Sequence, residues 1–528
     1  MITTTATLRT AEHLRPKSLP EGLVWLWSDV LFPGEATQEG PIRFRAVVLL
    51  LLLPAVLLYG SISFHLLEPD EARYAEIPRE MLQRGDWVVP HLQGQPYLDK
   101  PPLLYWFVML SYRLFGVDEG AARLIPALAL HATILLVYLL GRRHLGERAA
   151  FWASVTLTFA PGFISMGRLL ILDGLLGLWT TAATLSALEA LRSPNRRRLW
   201  WCVSWLAAGL GILTKGPVIL ILVLSPLWMF SRLQNRWQGF TWLEFLQYLL
   251  GSAGVSLPWY IAIGLQEPIF LRYFFWEHNL LRFFAPFDHI RPIWFYLPIV
   301  LAGMWPGTIF LLGTLASFFR AHAPAHRPPE LGFYLLTAGW VVLFFSLSGS
   351  KLPTYILPSF PFLALAAGWY VSVSSARYRI WAATLLGIMA SVLVWGHYVV
   401  LPWYAKLRSP CNEPDKIIPY CADLTQPVIC FPRSCDSVAF YLRRDDLRNI
   451  RSKNFPELIE QLRQNSRTVL LCTHRHSFES ICNALPPDLR ITTTVSFRRP
   501  TDGFSWFDRL ATETPWGLCD LVVIERIP

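Results

Sequence analysis

The chain has 528 residues, 53% of them hydrophobic, 14% aromatic and only 16% charged, a balance that excludes an ordinary soluble domain with one large core. Its formal net charge of +10 does not point to nucleic acid, because the arginines fall in short connections between apolar runs, where the positive-inside rule accounts for them. The apolar content is divided into many runs near the roughly 20 residues that cross a bilayer, which leaves an all-α polytopic membrane protein.

Residues 1–42 are polar or carry short apolar runs without a small-residue cleavage site, so the first span reads as an uncleaved signal and 1–45 as a cytoplasmic segment. Hydropathy and helix breakers place spans at 46–67, 121–140, 149–166, 172–190, 199–214, 217–230, 243–264, 294–318, 331–347, 354–373 and 381–402. These are eleven of an expected total of about 11–13 transmembrane helices. PPLLYWFVMLSYRLFG, 101–116, is short and follows two prolines, and reads as an interfacial or re-entrant helix. Arginines mark alternate connections: Arg142, Arg143 and Arg148; Arg192 with Arg196 to Arg198; Arg232 and Arg236; Arg320 and Arg327; Arg377 and Arg379. Those loops are cytoplasmic under one consistent topology, which puts the long loop 68–120, the turns at Asp173, Lys215 and Lys351, the segment 265–293 and everything after 403 outside.

The membrane region is therefore 46–403, and 404–528 differs from it in kind. Short β-rich runs (VICF, TVLLCT, ITTTVSF, LVVIERI) alternate there with amphipathic stretches such as PELIEQLRQ and SFESICNAL, the pattern of a small extracytoplasmic α/β domain. Cys411, Cys421, Cys430, Cys435, Cys472, Cys482 and Cys519 all lie in it, and in an exported domain they favour disulfides over reduced core thiols.

Directly after the first span, EPDEARYAEIPREM (68–81) sets Asp70, Arg73, Tyr74, Ile77 and Met81 on one helical face. Such a helix lies flat on the membrane surface, with Glu71, Glu76 and Glu80 turned towards water and Pro78 kinking it or ending its first half. Taken alone it is an acidic interfacial helix whose Arg73 pairs with Asp70 at i+3. The same leaflet then collects Asp99 and Lys100 in LDKPPLLYW, Asp173 in RLLILDGLLG, and Lys215 in GILTKGP. FFWEHNLLRF adds Glu277, His278 and Arg282, and SGSKLPTYILP adds Lys351 and Tyr355. Any one site reads equally as a snorkelling charge or a structural ion pair, but their clustering on one face does not. Arg73, Lys100, Lys215 and Lys351, with Arg282 as a fifth, suit a phosphate head group, and a carboxylate beside them suits a general base on an acceptor hydroxyl. Charges gathered at one interface count against the competing reading, a transporter or flippase of lipid-linked saccharides with its charges near the midplane. A receptor built on the cysteine-rich region leaves them unexplained.

In this order, these motifs over roughly residues 45–375 resemble the polyprenyl-phosphate-sugar-dependent glycosyltransferases, the family of lipid A aminoarabinose transferase and the protein O-mannosyltransferases. The resemblance implies a type C glycosyltransferase (GT-C) fold in the cytoplasmic membrane, with interfacial helices in the first extracytoplasmic loop and catalysis outside. It implies that Asp70 is the catalytic acidic residue and Asp173 a second functional carboxylate. Arg73, Lys100, Lys215, Arg282, Lys351 and Tyr355 would then serve the donor phosphate, with Glu71, Tyr74, Asp99, Glu277 and His278 in support. A divalent ion at Asp99 and His278 is the cofactor it leaves open, on two ligands only. The partners implied are a polyprenyl-phosphate-linked sugar donor, a lipid, protein or glycan acceptor and membrane lipids, with no nucleic acid.

Overall fold

The computed structural model describes residues 44–233, 239–285, 289–319, 327–409, 413–474, 476–497 and 520–527. The expectations for 1–43, Arg236, Arg320, Cys411 and Cys519 lie outside those residues. In chain order the first helices are α1 (Phe44–Tyr59), α2 (Asp70–Arg84), α3 (Leu103–Phe115), α4 (Glu119–Leu145), α5 (Glu147–Thr158), α6 (Pro161–Gly167) and α7 (Leu172–Arg192). They continue with α8 (Arg197–Lys215), α9 (Val218–Leu233), α10 (Trp242–Gln266), α11 (Ile293–Gly303), α12 (Gly307–Ser317), α13 (Pro329–Leu347), α14 (Pro353–Val373) and α15 (Ala376–Lys406). Every predicted span falls on helix. Among the described residues six, α4, α7, α10, α13, α14 and α15, are long and apolar enough to cross a membrane, and two bent pairs raise that to eight.

The differences from the sequence reading have local causes. The first span ends at Tyr59 rather than 67. The span expected at 149–166 bends by 57° between α5 and α6, where Pro161 opens the second helix. The one expected at 294–318 turns by 109° between α11 and α12 around Pro306, which lacks an N–H and restricts the residue before it. The short apolar α3 packs between α2 and α4, with Tyr112 Oη donating to Ala75 O at 3.0 Å and Ser111 Oγ to Ala121 O at 2.6 Å. Helices of the bundle meet closely through small residues: a Cβ on Gly368 in α14 would fall 2.4 Å from Ala153 N in α5.

Asp70 and Glu71 occupy the first turn of α2, where carboxylates suit the positive helix end, and Gly85 at φ 69° terminates it with its N–H on Met81 O. Pro78 does not end it; the helix runs on to Arg84. The carboxylates expected in water are buried, Glu71 at 2%, Glu76 at 0% and Glu80 at 1% exposure. Each is satisfied, as burial demands. Glu71 accepts from Arg123 Nε at 2.9 Å and Nη2 at 2.7 Å and from the N–H groups of Leu67 and Leu170. Glu76 pairs with Arg79 at 2.6 Å, and Glu80 accepts from Gln93 N at 2.6 Å and Gly94 N at 3.0 Å.

Two-residue strands β1 (His91–Leu92) and β2 (Gln95–Pro96) form a small hairpin after α2. The C-terminal region builds a five-stranded sheet from β3 (Val428–Phe431), β4 (Arg448–Asn449), β5 (Arg467–Cys472), β6 (Leu489–Ser496) and β7 (Asp520–Arg526), in the order β4-β3-β5-β7-β6. Pairing is parallel for β4-β3-β5 and antiparallel for β5-β7-β6. Helices α16 (Pro414–Cys421) and α17 (Asp436–Leu442) cover one face, where Val438 and Ala439 meet Cys430 and Val469. On the other, α18 (Phe455–Gln464) and α19 (Ser477–Ala484) set Leu458 and Ile481 against Leu470 and Val522. The expected disulfides are not seen at Cys421, Cys430 and Cys482, whose thiols are free. Cys421 and Cys430 are core packing, and burial pushes the Cys421 thiol up to about 12.

This α/β unit sits on α2 and its flanks. Tyr441 Oη donates to Glu119 Oε1 at 2.7 Å and accepts from Leu66 N at 3.0 Å, while Arg79 Nη2 donates to Arg444 O at 3.2 Å. The arginine loops are tied together at the far end of the bundle, Arg143 to Glu189 at 3.0 Å, Arg192 to Glu330 at 2.9 Å and Arg197 to Glu244 at 2.5 Å.

Candidate active site

The remaining charges converge at the opposite end. Asp173 lies in the first turn of α7 and Lys215 is the last residue of α8, so the two antiparallel helices bring them together with Lys215 Nζ 2.5 Å from Asp173 Oδ1. Thr354 Oγ1, at the start of α14, donates to the other oxygen, Oδ2, at 3.2 Å. The ammonium of Lys215 also stands 4.2 Å from the ring centre of Tyr355, a cation–π contact.

Lys100 enters from the loop before α3, between Asp99 and Pro101–Pro102. Its Nζ donates to His278 Nε2 at 2.6 Å, and His278 belongs to a π-helical segment, Arg272–Leu281. Burial, reinforced by Lys215 and Arg282 and opposed by Asp99, pushes Lys100 down to about 8. Burial and the neighbouring Lys100 push His278 down to about 3, so its ring is neutral and accepts from the ammonium. Asp99 takes a hydrogen bond from Tyr273 Oη at 2.6 Å; burial opposes its ionisation, yet its polar and charged neighbours hold it below the usual carboxylate range.

Lys100, Lys215, His278 and Arg282 line a cavity of about 400 Å³ whose wall is otherwise largely apolar, including Phe274, Phe275, Phe283, Phe344 and Phe345. Tyr355 lines it as well. Cations lining an aromatic-walled cavity can hold a phosphate that carries a lipid tail.

Other predicted site residues lie apart from this cavity. Lys351 is buried and donates from Nζ to the carbonyls of Ser348 at 2.5 Å and Arg291 at 3.1 Å, so it ties two loops together. Glu277 is half-exposed and faces Arg272 at 3.9 Å. Tyr74 packs on Tyr105 with ring centres 6.2 Å apart, and Glu71 is an internal anchor for Arg123. Asp70 is 55% exposed, 3.6 Å from Arg73 Nη1. Arg73 and Asp99 are both electrostatic neighbours of Tyr97. Asp99 Oδ1 holds the Tyr273 hydroxyl and His278 Nε2 takes the Lys100 ammonium, so the two residues expected at a divalent ion are engaged with protein partners here. Among the described residues no three His, Cys, Asp or Glu side chains gather as metal ligands.

Sequence reasoning missed Tyr97, Tyr273, Thr354 and Arg123. The last carries a signal: an arginine inside the predicted span 121–140 is expensive unless it is partnered. Tyrosines and a threonine in polar loops carry none.

The helical bundle with its bent helix pairs, α2 and α3 packed on it and an apolar cavity lined in part by cations is the type C glycosyltransferase fold. The described chain aligns with the crystal structure of ArnT from Cupriavidus metallidurans bound to undecaprenyl phosphate at a TM-score of 0.71, with 22% identity over 90% of this chain and 97% of that one. The archaeal oligosaccharyltransferase AglB from Archaeoglobus fulgidus aligns at 0.51, with 14% identity over 81% of this chain and 69% of that one. In sequence, residues 44–274 match the dolichyl-phosphate-mannose-protein mannosyltransferase family. An undecaprenyl phosphate-alpha-4-amino-4-deoxy-L-arabinose arabinosyl transferase of Pseudomonas savastanoi pv. phaseolicola is 33% identical over 72% of this chain and 70% of its own length. Enzymes of the same description from Proteus mirabilis and Edwardsiella ictaluri are 34% and 38% identical over 65% and 62% of this chain. The chain spans 62% and 59% of the length of those two relatives. This protein belongs to the polyprenyl-phosphate-sugar-dependent glycosyltransferase family that contains these arabinosyl transferases.

Proposed function

We propose that this multi-pass membrane protein transfers a sugar from a polyprenyl phosphate to a hydroxyl or phosphate acceptor on a lipid, protein or glycan, with inversion at the anomeric carbon. The observation that carries the reading is the cavity of about 400 Å³ lined by Lys100, Lys215 and Arg282 and by phenylalanines. A phosphate suits the cations, and an isoprenoid tail suits the aromatic wall. The donor enters sideways from the bilayer, and its phosphate rests against Lys100 and Arg282, with Lys215 held in place by Asp173. Asp70 takes the proton of the acceptor hydroxyl as the acceptor oxygen bonds to the anomeric carbon and the bond from that carbon to the phosphate oxygen breaks. Polyprenyl phosphate leaves with both electrons of that bond, stabilised by the cations, so no general acid is required. Arg73 stands 3.6 Å from Asp70 and helps to place it.

The arginine loops support a sidedness in which 1–45 is cytoplasmic, 46–403 is the membrane transferase, and the site and the α/β domain 404–528 lie outside the cytoplasmic membrane. The donor named for the relatives, undecaprenyl phosphate-alpha-4-amino-4-deoxy-L-arabinose, is the first to supply, and the resemblance to lipid A aminoarabinose transferase makes lipid A the first acceptor to try. Purified protein in nanodiscs, given that donor and lipid A, is expected to release undecaprenyl phosphate and add the sugar mass to the acceptor. If mass spectrometry of envelope lipids and glycans after deletion of the gene shows no missing sugar, the reading is overturned.

A further inference from the structure

The C-terminal α/β unit reaches the transfer site through one carboxylate. Asp436 opens α17, is 1% exposed, and places Oδ2 3.7 Å from Arg73 Nε. On its other side Arg73 Nη1 is 3.6 Å from Asp70 Oδ1. Both separations exceed the roughly 2.7–2.9 Å of a hydrogen-bonded ion pair. Arg73 is thus shared between two acids rather than committed to its i,i+3 neighbour on α2. Asp436 is itself fixed from the membrane side, since the next residue, Ser437, donates its N–H to Glu68 Oε1 at 2.7 Å.

We propose that Asp436 is a positioning residue of the transfer site: it draws Arg73 off Asp70, which leaves Asp70 free to take the proton of the acceptor hydroxyl. The proposal rests on the reading of Asp70 as the base. Without Asp436, Arg73 closes on Asp70 as on an isolated helix, and the base is occupied. The C-terminal unit is then part of the catalytic apparatus and not an appendage to it.

The groups facing Asp436 are Arg73, Asp70, Glu76 and Glu80 from α2, Glu68 before it, and the Cys430 thiol from β3. Burial, opposed by Arg73 and reinforced by Glu80 and Asp70, pushes Asp436 up to about 6, and burial with the nearby Asp436 pushes Glu68 up to about 8. Burial thus favours the protonated form of both acids, while Arg73 favours the charged form of Asp436. The hold on Arg73 weakens as pH falls through 6.

The test uses the full chain in nanodiscs with undecaprenyl-phosphate aminoarabinose as donor and lipid A as acceptor, comparing wild type, D436N, D436E, R73A and D436N/R73A. D436N is expected to lower kcat roughly tenfold with little change in donor KM, D436E to recover most of it, and D436N to cost nothing further once Arg73 is gone. The acid limb of the wild-type pH profile near 6 should disappear in D436N. Additive losses in the double variant, or a loss confined to KM, would overturn the proposal. Thermal unfolding of the same five proteins reads the Arg73–Asp436 coupling without turnover, and additive shifts there overturn it as well. A wild type that transfers nothing sinks the functional reading, while the unfolding cycle still decides the pairing.

Discussion

Lys215 and Asp173 form a largely buried ion pair at 2.5 Å that joins the end of α8 to the start of α7, and Lys215 lines the cavity whereas Asp173 does not. Removing one partner strands the other charge, at about 3–5 kcal/mol, whereas replacing both removes the penalty. D173N and K215M singly are therefore expected to lower the midpoint of thermal unfolding. The pair D173N/K215M should recover most of it and still transfer no sugar, because the phosphate has lost a cation. Recovered stability with recovered transfer would make the pair structural only.

The pairing of Glu71 with Arg123 is a different matter. Arg123 is fully buried, and besides Glu71 it donates to the carbonyls of Ile62 at 2.8 Å and Phe64 at 2.5 Å, so it clamps the chain that leads into α2. Burial opposes the charge on Glu71, but Arg123 and two backbone N–H groups outweigh it and hold Glu71 below the usual carboxylate range. A depressed carboxylate stabilises the fold above its unfolded pKa, and that contribution fades as pH falls through the lower folded value. E71Q should cost about 3–5 kcal/mol at pH 7 and narrow its gap to wild type in strong acid, measured by thermal unfolding across pH. An E71Q protein as stable as wild type at pH 7 contradicts the clamp.

Asp173, Lys100 and Lys215 were legible because a charge beside an apolar run is expensive, so its presence alone asks for a reason. Helical spacing, by contrast, reports which residues share a face and not what covers the opposite one. It therefore sends Glu71, Glu76 and Glu80 to water, whereas α4, the β1–β2 hairpin and the C-terminal unit bury them. Lys351 bears the same mark as Lys100, yet two carbonyls claim its ammonium, a difference set by the fold of two distant loops. Asp436 carries no mark at all, since it lies 366 positions beyond Asp70 in a region of unrelated pattern. The β-rich runs and amphipathic stretches of 404–528 did give β3, β5, β6, β7, α18 and α19, because composition and a helical period survive without knowledge of the partner.

Lys100 predicts an alkaline limb. Its ammonium is held down to about 8, so it is charged below that value and neutral above it. Donor binding, which uses the charge, should weaken as pH rises through 8, seen as a rising donor KM. Arginine keeps its charge throughout, so K100R is expected to bind the donor without that limb, although it loses the His278 geometry and turns over more slowly. If wild type and K100R share the same alkaline inflection, another group is responsible.

Lys351 separates a cation that binds donor from one that holds the protein together. Its Nζ satisfies the carbonyls of Ser348 and Arg291, and Ser348 lines the cavity directly. K351M keeps the length of the side chain and leaves both acceptors unpaired in a buried site, at about 1–3 kcal/mol. The expected outcome is a lower unfolding midpoint with donor KM within about twofold of wild type at a temperature where the variant is folded, in contrast to K100M, whose KM should rise about tenfold or more. Should K351M raise donor KM as far as K100M does, its ammonium turns to the phosphate when donor binds, and its place among the donor-binding cations is restored.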